Sequence, residues 1–135
     1  MAWAIACFFA LAAVVMLDKP VTVAVPVPEK VRESKSALLQ LQGVVMRRNA
    51  PAVWNVFWEM PSANAQTSVD SAHFAGYVTS LANSAARATQ PANFTLELPV
   101  AALRAMRRQR AMRFTFVPVG KLPEGGVTIT SLHLE

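Results

Sequence analysis

Chemistry requires donors and nucleophiles at workable spacing, and this chain offers few. It has two histidines, His73 and His133, some sixty positions apart. Asp70 stands three residues before His73, a weak ligand spacing on a loop, and a zinc-type centre needs a third or fourth donor, so each histidine reads as a surface or structural one. The eight carboxylates are scattered along the chain. Glu59 and Glu97 fall in strand-like segments that a sheet could bring together, but nothing in the sequence shows the pairing. The sequence contains no nucleophile elbow, no phosphate loop, no dinucleotide-binding glycine pattern and no H-E-x-x-H. Gly125-Gly126 reads as a turn. The single cysteine, Cys7, allows no internal disulfide and no thiolate-bound metal. From this inventory we expect no catalytic and no metal-binding residue in the chain, and no resident cofactor.

What remains is suited to contact rather than catalysis. Trp54, Phe57, Trp58, Phe74 and Tyr77 form an aromatic group, and they are the candidate partner-contact residues. Aromatic side chains carry much of the burial in small β domains, so core packing is the competing reading for them. Arg104, Arg107, Arg108, Arg110 and Arg113 form a candidate basic patch, and the formal net charge is +5. Such a patch meets anionic surfaces, or is simply a solvated face. No aromatic residues interleave with it and no nucleic-acid motif accompanies it, so nucleic acid is not the expected partner.

The elements that must position these groups follow from periodicity. Val21, Val23, Val25 and Val27 alternate with smaller or polar residues, as in a strand, and the surrounding prolines make it an edge strand or an extended linker. Glu29 to Ser36 reads as a loop. Leu38 to Met46 is a strand with a bulge at Gly43. Arg47 to Pro51 is a turn. In the next strand Trp54, Val56, Trp58 and Met60 share one face, while Asn55, Phe57 and Glu59 share the other. Ser62 to Ser71 is a loop, His73 to Leu81 a strand, Asn83 to Asn93 a loop and Phe94 to Leu98 a strand. Pro99 opens a short helix to about Gln109, with Val100, Leu103 and Met106 on its packed side. Met112, Phe114, Phe116 and Pro118 line another strand. After a turn at Pro123 to Gly126, residues 127–134 form the last. About seven strands and one short helix predict a mostly β fold, an antiparallel sandwich or jelly roll.

Residues 1–17 carry no charged side chain. A helix of that length is about 25 Å long, short of a hydrocarbon core of about 30 Å. Ala10-Leu11-Ala12 is a cleavage-like triplet, although no Lys or Arg precedes the apolar run. The expectation is an apolar N-terminal helix acting as an export signal or short membrane segment, with a gene-boundary remnant or a helix buried against a partner as the alternative. Residues 18–135 then form the β domain of an exported or membrane-associated chain.

Several landmarks occur in one order. Leu17-Asp18-Lys19-Pro20-Val21 with its alternating valines resembles the opening of the C-terminal domain of polyphenol oxidases, the tyrosinase and catechol oxidase family. Leu39-Gln40-Leu41-Gln42-Gly43 is similar to the next strand of that domain. Val53-Trp54-Asn55-Val56-Phe57-Trp58 takes the place of its K-F-D-V-F/Y-V segment. His73-Phe74-Ala75-Gly76-Tyr77-Val78 resembles its E-F-A-G-S-F strand. Phe94 to Pro99, Phe114 to Pro118 and Val127 to Ile129 fit the segments that follow. The resemblance implies a β-sandwich that packs over a separate helical domain, shields its two-copper centre and keeps the enzyme latent. Copper and o-diphenol oxidation belong to that other domain, whose six histidines have no counterparts here. The implied partner is therefore a type-3 copper oxidase domain, encoded in trans or lost by truncation. Two other readings remain: an exported or membrane-anchored β-sandwich with a structural or protein-binding role unrelated to copper, and a basic nucleic-acid module.

Overall fold

A computed structural model describes residues 15–16, 19–46, 52–80, 92–120 and 127–135. The described chain is mostly β, with strands in two antiparallel sheets and two short helices. The strands are β1 (Val15–Met16), β2 (Val21–Pro26), β3 (Leu38–Met46), β4 (Ala52–Trp58), β5 (Phe74–Ser80), β6 (Ala92–Glu97), β7 (Ala111–Val119), β8 (Val127–Ile129) and β9 (Ser131–Leu134). The helices are α1 (Glu29–Arg32) and α2 (Val100–Met106).

One sheet runs β1-β8-β3-β6, with β9 also paired to β3; the other runs β2-β7-β4-β5. Their facing sides build one core. Leu39, Leu41, Ile129, Leu132 and Leu134 come from the first sheet, and Val23, Val25, Trp54, Val56, Phe114 and Phe116 from the second. Val31 of α1 and Ala102, Leu103 and Met106 of α2 join the same cluster. This is the expected sandwich.

Local chemistry explains the elements. β2 is an edge strand, as its prolines require, because Pro26 closes the ladder opposite Ala111 and needs no donor on its outer side. The loop expected at Glu29 to Ser36 contains one helical turn instead. Pro28 enters it at φ −64°, Glu29 occupies the first turn, and buried Val31 anchors it. In α2 the packed side is Ala102, Leu103 and Met106, while Val100 is 62% exposed. At about 100° per residue, Val100 points roughly 110° away from the mean direction of those three, so its expected place on the packed side was wrong.

The bulge at Gly43 is real. The β3–β6 register shifts between Leu41 and Val44, and Gly43 has φ +68°. On the other edge of β3, the expected single C-terminal strand breaks at Thr130 into β8 and β9. Thr130 donates its backbone N–H to Gln42 O at 3.1 Å and its hydroxyl to Gly43 O at 3.2 Å. The bulge therefore bends both partners of β3 together.

Val15 and Met16, expected within an apolar helix, are extended and pair with Ile129 and Thr128. β-branched Val15 suits a strand, and β8 offers an open edge to pair with. The rest of the apolar segment lies outside the described residues, as do Cys7 and the turns expected at 47–51 and 123–126. So does most of the loop expected at 83–93, whose last two residues instead begin β6. Among the described residues no helix is long and apolar enough to cross a membrane.

The bulge yields a direct test. A Cβ on Gly43 would lie 2.5 Å from Thr130 Oγ1 and 2.7 Å from Thr130 Cβ, and the positive φ disfavours any L side chain. Gly43→Ala is expected to destabilise the domain by about 2 kcal/mol or more, read as a lower urea midpoint at unchanged slope.

Candidate functional site

The outer face of the second sheet begins with β4 and β7, which are apolar on both sides. Trp54, Val56 and Trp58 face the main core, while Phe57 points the other way and is fully buried. On β7, Met112, Phe114 and Phe116 face the core, and Thr115 and Val117 are buried on the opposite side. The cover for that opposite side is the segment from Met60 to His73. Phe57, Val117 and Ala63 form a second buried cluster, with Met60 and Phe74 packed against it. Phe57 and Phe74 meet edge to face at 5.6 Å.

Sequence periodicity placed Met60 beside Trp58, and the structure moves it to the other face. Glu59 causes this, with φ +47°, a left-handed conformation unusual for a residue with a side chain. Its carboxylate pays the strain back locally. Oε2 accepts from the Arg113 backbone N–H at 2.6 Å, Oε1 accepts from the Arg113 guanidinium at 3.0 and 3.2 Å, and the Glu59 N–H donates to Arg113 O at 2.8 Å. The turn sends Met60 back over the sheet. There Thr115 Oγ1 donates to Met60 O at 3.1 Å and, its proton so committed, accepts from Thr22 Oγ1 at 2.8 Å.

Beyond the turn, small polar residues bond their own backbone, as such residues do in loops. Asn64 Oδ1 accepts from the Gln66 N–H, Thr67 Oγ1 from the Asn64 N–H, Ser68 Oγ from the Asp70 N–H and Ser71 Oγ from the His73 N–H. His73 closes the segment. Its Nδ1 lies 2.9 Å from Trp58 O, and since a carbonyl only accepts, Nδ1 carries the proton. Its ring lies 4.3 Å from the Trp58 indole. His133 sits elsewhere, paired with Glu135 at 2.8 Å on the surface. The two histidines are thus not brought together. Glu59 and Glu97 do not pair either, because Glu59 follows β4 in one sheet and is held by Arg113, while Glu97 ends β6 in the other. Among the described residues no three His, Cys, Asp or Glu side chains converge on a point that could hold a metal ion.

The structure sorts the aromatic candidates. Trp54, Phe57 and Trp58 are buried, Phe74 is half-buried against the second cluster, and Tyr77 is 63% exposed. Burial withdraws Trp54, Phe57 and Trp58 from any surface this fold presents; they hold the two cores. Tyr77 stands opposite Asn55 in the β4–β5 ladder, and Asn55 stands opposite Val117 of β7. The adjoining row is Val119, Val53 and Thr79, with Val119 47% exposed. Val119 was not singled out in the sequence, since exposure is set by the fold and not by residue type; it is the last residue of β7 and lies on the face opposite Pro118.

The basic candidates divide as well. Arg113 is taken by Glu59, and Arg104 is exposed on α2. Arg107, Arg108 and Arg110 share an open hollow with Arg32 and Gln109.

No protein-family model and no curated protein matches the chain. Solved structures do. A recombinantly expressed latent aurone synthase, a polyphenol oxidase, superposes with a TM-score of 0.68 at 14% identity over 96% of this chain and 26% of that one. The same enzyme from its natural source gives 0.68 at 14% over 100% of this chain and 28% of that one. Latent apple tyrosinase gives 0.62 at 20% identity over 91% of this chain and 27% of that one. The fold is that of a portion of polyphenol oxidases, and this chain spans about a quarter of their length. The resemblance carried by the sequence landmarks and the shared fold point to the same proteins.

The sorting of aromatics can be checked by stability alone. Phe57→Ala is expected to cost about 3–5 kcal/mol, as for other buried phenylalanines. Tyr77→Ala is expected to change stability by no more than about 0.5 kcal/mol. Urea denaturation of the two variants measures both.

Proposed function

We propose that this chain is a non-catalytic accessory domain that shields the dicopper centre of a type-3 copper oxidase domain carried on a separate polypeptide or a missing part of its own. The observation that carries this reading is the extent of the structural match. Nearly the whole chain superposes on a quarter of polyphenol oxidases whose own descriptions call them latent. The sequence supports it with the ordered landmarks from Leu17-Asp18-Lys19-Pro20-Val21 through Phe74-Ala75-Gly76 to Val127-Thr128-Ile129.

The candidate contact surface is the outer face of the second sheet at Tyr77, on the edge strand β5. Tyrosine supplies a large contact area at the cost of fixing two side-chain torsions, which suits it to filling a concave site. Asn55 stands opposite it, and Thr79, Val53 and Val119 form the adjoining row across the sheet. A rigid sheet presents such a side chain without paying the ordering cost of a loop. Oxidation of o-diphenols, and the copper that performs it, belong in this reading to the other domain. This chain contributes steric closure of the entrance.

The test is reconstitution. The purified chain is titrated into a dicopper diphenol oxidase domain from which its own C-terminal domain has been removed. A saturable fall in the oxidation rate, together with co-elution on size exclusion, is expected. Tyr77→Ala should raise the half-inhibitory concentration roughly tenfold or more, the effect of removing an aromatic hot spot. An unchanged oxidation rate at saturating chain, with no complex formed, would remove the reading.

A further inference from the structure

Four arginines that have no carboxylate partner among the described residues come together at one place on this domain. Arg32 at the end of α1 meets Arg107, Arg108 and Arg110, which follow α2, around an open hollow of about 210 Å³ whose remaining wall is Gln109. No carboxylate lines it. Glu29 and Glu33 flank Arg32 along the chain but are outside the lining, and among the described residues the arginine ion pair is that of Arg113 with Glu59.

The arrangement is built from two segments far apart in sequence and tied by backbone. The Val27 N–H donates to Arg110 O at 2.8 Å, fixing the start of β7 against the approach to α1. Arg32 Nη1 reaches Gln109 O at 3.5 Å, a long contact that aims its guanidinium toward the hollow. The end of α2 is wound tight by bonds from the Arg107, Arg108 and Gln109 N–H groups to Leu103, Ala105 and Met106 carbonyls. Arginine side chains at a helix C-terminus are favourable in themselves, and that accounts for Arg107 and Arg108. It accounts for neither Arg32, which comes from another element, nor Arg110, which leads into β7.

We propose that this hollow is a binding site for a compact, multiply charged oxyanion of the phosphate type. Like charges gathered around one concavity repel each other, and a dianion placed among them relieves that repulsion. Guanidinium forks match tetrahedral oxyanions with paired N–H donors, which a monovalent halide does not satisfy. The hollow has room for a phosphate group with some of its water, since one water occupies about 30 Å³ in the liquid. A flat membrane or a nucleic-acid duplex would instead call for a broad basic face, and Arg113, the fifth member of the sequence cluster, is already neutralised by Glu59. The same chemistry is offered by free phosphate and by a phosphomonoester on another molecule.

Isothermal titration of the full chain with inorganic phosphate, at ionic strength held constant with sodium chloride, tests the site. A parallel arm uses O-phosphoserine. One saturable equivalent is expected, with affinity lowered roughly tenfold or more by Arg32→Gln and by Arg107→Gln/Arg108→Gln, as for losing one or more charge-assisted hydrogen bonds. Arg104→Gln, outside the hollow, should leave binding unchanged. Tighter binding in the phosphoserine arm would identify a monoester as the natural source, and equal or weaker binding would identify the free anion. A thermal melt of each variant verifies folding. Because phosphate stabilises proteins generally, the reading taken from the melts is the difference in phosphate-induced shift between wild type and variant. Absence of saturable binding, or equal weakening by Arg104→Gln, would overturn the proposal.

Discussion

A sheet whose two central strands are apolar on both faces must be covered twice. β4 and β7 impose that constraint here, because Trp54, Val56, Phe114 and Phe116 lie on one side and Phe57 and Val117 on the other. Packing the first sheet against the second satisfies only the inner side. Were the outer side left open, a phenylalanine and a valine would face water in the middle of the sheet, each forfeiting about 1.5–3 kcal/mol of burial. The segment from Met60 to His73 exists to prevent this, and it can do so only if the chain reverses at the end of β4. The reversal is the left-handed turn at Glu59, and the carboxylate of Glu59 holds it to the neighbouring strand through Arg113. The turn and its ionic clamp thus set the start of the segment that covers Phe57 and Val117.

The same clamp redistributes the charge. It removes Arg113 from the basic cluster that the sequence suggests and fixes it at the rim of the sheet. The remaining arginines are separated by the end of α2, so that Arg104 stands on the helix while Arg107, Arg108 and Arg110 turn toward Arg32. A run of five arginines within ten residues is therefore three different environments: a clamp, an exposed helix position and a wall of a hollow. Linear charge density does not distinguish these, because the contributing partners, Glu59 and Arg32, lie more than fifty residues upstream.

The mostly β architecture, the bulge at Gly43 and the loop at Ser62 to Ser71 were legible in the sequence, and of the edge strand or linker expected at β2 the structure shows the edge strand. Each rests on a local signal: alternating valines among prolines, a glycine within a strand, a run of small polar residues. The failures have a common cause in context. Met60 was assigned to the wrong face because a period of two cannot reveal a positive φ at a glutamate. Val100 was assigned to the packed side because the helix axis is set by where Leu103 and Met106 find the core. β8 and β9 read as one strand because the break at Thr130 is caused by a bulge in a different strand, eighty-odd residues away. Of the aromatic contact candidates, Tyr77 alone is largely exposed, since exposure depends on which loop covers which face.

That Tyr77 remains on the surface has a physical consequence for any partner. Its strand, β5, is an edge of its sheet, and the register with β4 shifts between Val56 and Phe57, so that Ala75 is left over beside Gly76. A bulge increases local twist, which makes the edge a poorer template for a further strand. Association at this edge by simple strand addition is therefore disfavoured, while contact through the side chains of the adjacent face is not. Side-chain contact at Tyr77, with the Val53–Val119 pair in the next row, calls for a surface complementary to an exposed ring and not for a free strand. A recessed site has that shape. The bulge that makes the edge a poor template for pairing thus lies beside the one largely exposed aromatic side chain of the group.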